Sequence, residues 1–250
     1  MTWSRRDFVR VGLGAAAGNM LLGCGATEPN TVARLMSRPG TPSITPTRGL
    51  TQLGLGGDRD GVLYVPESYD ASVPAGLFVA LHGAGGSSSN WPSYYARAEA
   101  RKMIFMAPSS RESTWDLLRD KSVGPDLEFI DRALAHTFAR CRIDPRRICL
   151  GGFSDGATYA LALGLPNGDL FSHLAIYSAG FLAEADKLYG KPRVFVSHGT
   201  NDPVLSFETS RDVIMGRLGL LGYDATFFPF AGGHEVPSAV SDAALTWFYS

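Results

Sequence analysis

The chain has 250 residues, 45% hydrophobic and 19% charged, a globular composition with enough apolar material for one sizeable core. Its formal net charge is −1, and its four lysines and nineteen arginines are scattered, so the clustered cationic face that a nucleic-acid backbone requires is missing. Three cysteines, at positions 24, 141 and 149, exclude an all-cysteine zinc site and a multi-bridge disulfide scaffold.

At the start of the chain, Ser4-Arg5-Arg6-Asp7-Phe8-Val9 precedes a moderately apolar run, Val11 to Leu22, too short and too rich in Gly and Ala to span a membrane. Paired arginines ahead of such a run resemble a twin-arginine export signal, and Leu21-Leu22-Gly23-Cys24 resembles a bacterial lipobox. Residues 1–23 therefore read as a signal, with Cys24 as the lipid-bearing mature N-terminus. The expected location is on the periplasmic or extracellular side, held to a membrane through that anchor only. Residues 24–50 carry Pro29, Pro39, Pro42 and Pro46 among Thr, Ser and Gly without a helix or strand period, which predicts a flexible tether. Gly12-Leu13-Gly14-Ala15-Ala16-Ala17 matches a dinucleotide-loop pattern, but no strand precedes it and the match is rejected.

Residues 51–250 read as one domain. Short apolar runs predict strands over 62–65, 77–81, 103–107, 147–151, 174–177, 193–197 and 225–230. Helices are predicted over 91–101, 126–140, 155–164, 206–221 and 237–249. Several strands are apolar end to end rather than alternating, as strands buried on both faces must be. The fold class is therefore α/β, a doubly wound, mostly parallel sheet with helices on both faces.

Gly152-Phe153-Ser154-Asp155-Gly156 lies between the apolar Ile148-Cys149-Leu150 and the helix opening at Ala157. A strand-to-helix turn this sharp needs small residues two before and two after the serine, and it lifts Ser154 Oγ above the sheet. A serine hydroxyl becomes a nucleophile only when a neighbouring base takes its proton and a carboxylate fixes that base. Of five histidines, His136 shares a charged helix face with Arg132 and Arg140, and His173 begins a strand. His82 and His198 end buried strands and read as packed. His234, in the loop Ala231-Gly232-Gly233-His234 after the last strand, is the expected base. Asp202, just beyond the strand over 193–197, is the expected acid; Asp155 and Asp116 are its rivals. The order Ser154, Asp202, His234 is the α/β-hydrolase order. The oxyanion needs two backbone N–H donors. Asp155 should supply one and the loop Leu81-His82-Gly83-Ala84-Gly85-Gly86 the other, Ala84 by position, with Gly83 and Gly85 as alternatives that also let the backbone approach substrate.

Together LHGAGG, GFSDG, HGTNDPV and GGHE resemble the compact esterases of the α/β-hydrolase superfamily. The similarity is to the phospholipase/carboxylesterase (acyl-protein-thioesterase-like) group and to polyhydroxyalkanoate-depolymerase and feruloyl-esterase-like proteins, over roughly residues 60–250. It implies hydrolysis of small or polymeric carboxylic esters through an acyl-serine intermediate, with no cofactor and no metal. Asp155 stands where the thioesterase-like branch commonly has glutamine. A thioesterase or peptidase on the same fold, or a silent hydrolase-fold binding protein, are the competing readings.

Two further expectations concern packing. Pro108 to Pro125 is an irregular stretch at the ligand-binding edge of the sheet, and no cap-sized insertion separates Ser154, Asp202 and His234 in sequence. An open site with Trp115 as a substrate wall follows. Cys149 reads as a packed thiol, although an oxidising compartment permits a bridge to Cys141.

Overall fold

The apolar runs line up side by side in an eight-stranded sheet in the computed structural model, which describes residues 33–183, 185 and 187–250. In chain order the strands are β1 (Gly49–Gln52), β2 (Gly61–Val65), β3 (Ala75–Leu81), β4 (Ile104–Pro108), β5 (Ile143–Phe153), β6 (His173–Tyr177), β7 (Arg193–Gly199) and β8 (Ala225–Phe230). Their spatial order is β1-β2-β4-β3-β5-β6-β7-β8. β2 pairs antiparallel with β1 and β4, and every pairing from β4 to β8 is parallel. The helices are α1 (Pro92–Arg101), α2 (Asp116–Asp120), α3 (Pro125–Phe138), α4 (Asp155–Gly164), α5 (Met215–Leu220) and α6 (Ser238–Phe248). This is the doubly wound α/β fold that the strand pattern predicts.

Strand alternation distributes the core between two layers. Leu77, Val79 and Leu81 of β3 face a cluster that includes Phe129, Ile130 and Leu134 of α3 and Tyr159 and Leu161 of α4. Phe78 and Ala80 of the same strand face the other layer, with Tyr94 and Ala98 of α1 and Val240, Leu245 and Phe248 of α6. All seven residues of β3 are buried, which is why its sequence is continuously apolar. The carboxyl ends of the parallel strands gather at one edge, the usual ligand edge of such sheets.

Two expectations change. The proposed tether does not extend over its second half as free chain. Leu35 is fully buried, its N–H donating to Asn167 Oδ1 at 2.9 Å, and Arg34 and Arg38 both bind Asp169 (2.7 and 2.8 Å). Side-chain hydrogen bonding to Arg34, with Arg38 beside it, holds the Asp169 carboxyl well below the usual carboxylate range. The segment lacks periodicity because it docks by single residues rather than by a repeating face. Residues 1–24, with the signal and Cys24, lie outside the described residues. Secondly, the irregular stretch contains α2, and β1 adds an edge strand. The packed-thiol reading of Cys149 agrees with the structure: Cys141 and Cys149 are free and buried on opposite layers of the sheet, and burial pushes the Cys141 thiol up to about 12.

Candidate active site

The turn between β5 and α4 explains its two glycines. A Cβ on Gly152 would overlap the backbone of Gly156, and one on Gly156 would overlap the carbonyls of Leu81 and His82 on β3 and its exit. Close approach of these backbones leaves Ser154 at φ 56° and ψ −119°, with its N–H donating to Tyr177 O at 2.9 Å. The hydroxyl stands at the amino end of α4.

Ser154 lies beyond β5, Asp202 beyond β7 and His234 beyond β8, and the sheet brings the three together. His234 Nε2 is 2.8 Å from Ser154 Oγ, and His234 Nδ1 is 2.7 Å from Asp202 Oδ2. Asp202 is held from its other side as well: Oδ1 accepts from the N–H of Val204 at 2.8 Å and of Leu205 at 3.0 Å. Burial alone would push its carboxyl up. The Leu205 N–H, the His234 ring and the Val204 N–H outweigh this and hold it below the usual range, so it stays ionised. The Phe153 ring lies 4.6 Å from the His234 ring and backs the imidazole.

The rival carboxylates are engaged elsewhere. Asp155 Oδ2 accepts from Thr114 Oγ1 at 2.6 Å. Asp116 is buried and accepts from the N–H groups of Leu117, Gly124 and Asp126, shaping the stretch around α2. Of the other histidines, His82 donates from Nδ1 to Gly83 O (2.7 Å) and accepts at Nε2 from Ser110 N–H (2.9 Å). Burial pushes its pKa down to about 4, so it is a neutral packed group as expected.

In the loop after β3, a Cβ on Gly83 would stand 3.2 Å from Ser154 Cβ, so this backbone faces the serine directly. Gly85, at φ +70°, donates its N–H to Ser113 O at 2.7 Å and is committed to the stretch after β4. That removes Gly85 as an alternative donor. Asp155 is the first residue of α4, where an N–H has no intrahelical acceptor.

Trp115 is a correction. Its side chain is fully buried, stacks on Tyr159 at 5.1 Å and donates Nε1–H to His82 O at 2.9 Å. A large ring with one donor is satisfied better in the core than at an open wall. A cavity of about 240 Å³ reaches Gly83 and Phe153, the neighbours of Ser154, and is lined further by Asn90, Trp91, Ser93, Tyr94, Val236 and Ser241. Phe153 was legible in the sequence as the residue before the nucleophile; Trp91 and Tyr94 look there like ordinary core aromatics of a helix start.

No family model matches the chain. It is similar to feruloyl esterase C of Emericella nidulans, 29% identical over 173 residues that cover 66% of this chain and 61% of that enzyme. The chain thus spans about three-fifths of the length of the curated relatives it matches. Among solved structures, the acetyl xylan esterase from Aspergillus awamori superposes with a TM-score of 0.63 at 18% identity, covering 80% of this chain and 99% of that one. A CE1 ferulic acid esterase from Anaeromyces mucronatus gives 0.60 at 17% identity, with 91% and 97% covered. The sheet order, the turn at Ser154 and these likenesses agree: the chain is an α/β-hydrolase-fold protein whose relatives in sequence and architecture are carboxylic ester hydrolases.

Proposed function

We propose that the protein is an exported serine esterase that cleaves carboxylic esters with Ser154 as nucleophile, His234 as general base and Asp202 as its orienting acid. The observation that carries this reading is the continuous chain of short contacts, 2.8 Å from Ser154 Oγ to His234 Nε2 and 2.7 Å from His234 Nδ1 to Asp202 Oδ2. Neutral His234 takes the hydroxyl proton as Oγ bonds to the ester carbon, and the carbonyl oxygen becomes an oxyanion. The N–H groups of Asp155 and Ala84 are its donors. Collapse breaks the bond to the alcohol, which leaves with the proton from His234. Water then repeats the sequence on the acyl-serine and releases the acid.

The relatives' names supply two acyl classes, feruloyl and acetyl. Feruloyl esterases recur among the sequence relatives, so a hydroxycinnamoyl acyl group is the class we take as the expected one. A fluorophosphonate probe should label Ser154 and fail to label Ser154→Ala. In a panel of methyl ferulate, aryl acetates and hydroxyalkanoate esters, hydroxycinnamoyl esters should give the highest kcat/KM. Absence of both labelling and ester turnover refutes the reading; preference for acetyl refutes only the acyl class. Export rests on the paired arginines and the Cys24 motif of the sequence.

A further inference from the structure

We infer that His198 is a positioning residue of this site, pinning the Asp202–Leu205 turn so that Asp202 Oδ2 stays aimed at His234 Nδ1. The inference rests on the triad reading above and adds to it a second histidine on the same carboxylate. His198 is the penultimate residue of β7, four residues before Asp202, and both side chains are fully buried. His198 Nε2 lies 3.1 Å from Leu205 O and 3.1 Å from Asp202 Oδ2. Its Nδ1 lies 2.7 Å from the hydroxyl of buried Ser210.

These contacts fix the tautomer. A carbonyl can only accept, so Nε2 carries the hydrogen; Nδ1 then holds a lone pair, and Ser210 Oγ–H donates to it. Leu205 is thereby tied at both ends, its N–H to Asp202 Oδ1 at 3.0 Å and its carbonyl to His198. Asp202 cannot rotate away from His234 without breaking a contact on each oxygen. Burial outweighs the pull of the Leu205 carbonyl and of Asp202 and leaves His198 below the ordinary imidazole range. A neutral ring steadies the carboxylate without cancelling its charge, whereas a cation there would compete with His234 for it. His82, buried to the same degree at the end of β3, has partners only in its own loop and the stretch after β4, so burial alone does not produce this arrangement.

The test compares His198→Leu, His198→Gln and Ser210→Ala with wild type and Ser154→Ala, using aryl-ester kinetics, fluorophosphonate labelling rate and thermal melting. Gln can present an amide N–H near the position of Nε2; Leu cannot. His198→Leu should lower kcat and the labelling rate by about 10- to 100-fold with KM within about twofold, the scale of one lost hydrogen bond to a charged group. His198→Gln should recover most of that loss, and Ser210→Ala should show a smaller fall of the same kind, about 3- to 10-fold. Folded His198→Leu with wild-type kcat and labelling overturns the inference, as does Gln no better than Leu. Should His198→Leu not fold, Ser210→Ala decides: wild-type kcat and labelling overturn it. An inactive, unlabelled wild type overturns instead the triad reading, so the two failures are distinct.

Discussion

Ser154 holds a positive φ of 56° that a side-chain-bearing residue seldom adopts, and the surrounding backbones leave it no other course. Such a position is retained where the side chain has work at that point. Under the proposed triad, Ser154→Ala should lower ester turnover by about 10^4- to 10^6-fold with the melting curve unchanged, because members of such a triad act as a unit. Near-native turnover in that variant would remove the nucleophile assignment. Trp115 behaves oppositely. Fully buried against Tyr159 and bonded to His82 O, it holds the loop that carries Gly83 and Ala84. Trp115→Ala should cost about 3–5 kcal/mol in urea denaturation, the range for deleting a buried aromatic, while the order of preference among ester substrates stays the same. A changed chain-length preference at unchanged stability would return Trp115 to the pocket wall.

Among elements, the stretch between β4 and α3 serves the site as a scaffold. Ser113 O takes the Gly85 N–H, Thr114 holds the Asp155 carboxylate and Trp115 holds His82 O, so both backbone segments that face Ser154 lean on it. The buried carboxylates of Asp116 and Asp126 hold that stretch in turn by accepting backbone N–H groups at 2.5–3.0 Å. The segment before β1 has a comparable structural part. Leu35 sits in the core beside α4 and its following turn, and Met36 and Ser37 donate their N–H groups to Asp131 of α3 (2.9 and 2.8 Å). Leu35→Ala should therefore destabilise the domain by about 2–4 kcal/mol. A free tether would show no change in the denaturation midpoint.

At the scale of the whole molecule, buried imidazoles contribute to acid sensitivity, two of them most strongly. Burial pushes both His82 and His173 down to about 4. Arg59 near His82, and Arg193 and Arg147 near His173, push the same way, while the Gly83 carbonyl opposes burial at His82 and Asp224 opposes it at His173. Unfolded imidazoles titrate near 6.5, so between about 6.5 and 4 the unfolded chain binds protons that the folded chain does not. The contribution of these two groups is complete above that window and is lost as pH falls through it. The melting temperature should fall from pH 7 to pH 4.5, and less steeply in His173→Phe, which keeps a ring against Trp247 and Phe248 without a titrating nitrogen. A flat profile would contradict the assignment. The proposed anchor is a separate matter of location: Cys24→Ala should move the protein from the membrane to the soluble fraction of its native host, and an unmodified Cys24 by intact mass would refute it.

The sequence by itself determined the parallel sheet, because strands buried on both faces must be apolar throughout, as Ala75–Leu81 are. It also determined the turn at Ser154, where backbone contact at Gly152 and Gly156 excludes every larger residue. Chain order then singled out Asp202 and His234. What only the tertiary structure decided has one physical reason: it depends on partners far apart in the chain. Leu35 is core because Asn167 and Asp169 meet its neighbours, a contact with no local period. Trp115 turns inward because its indole N–H finds His82 O, 33 residues away. His198 reads in sequence as one more packed histidine; its place against Asp202 and Ser210 comes from the crossing of β7 with the helical turn Thr209–Ile214.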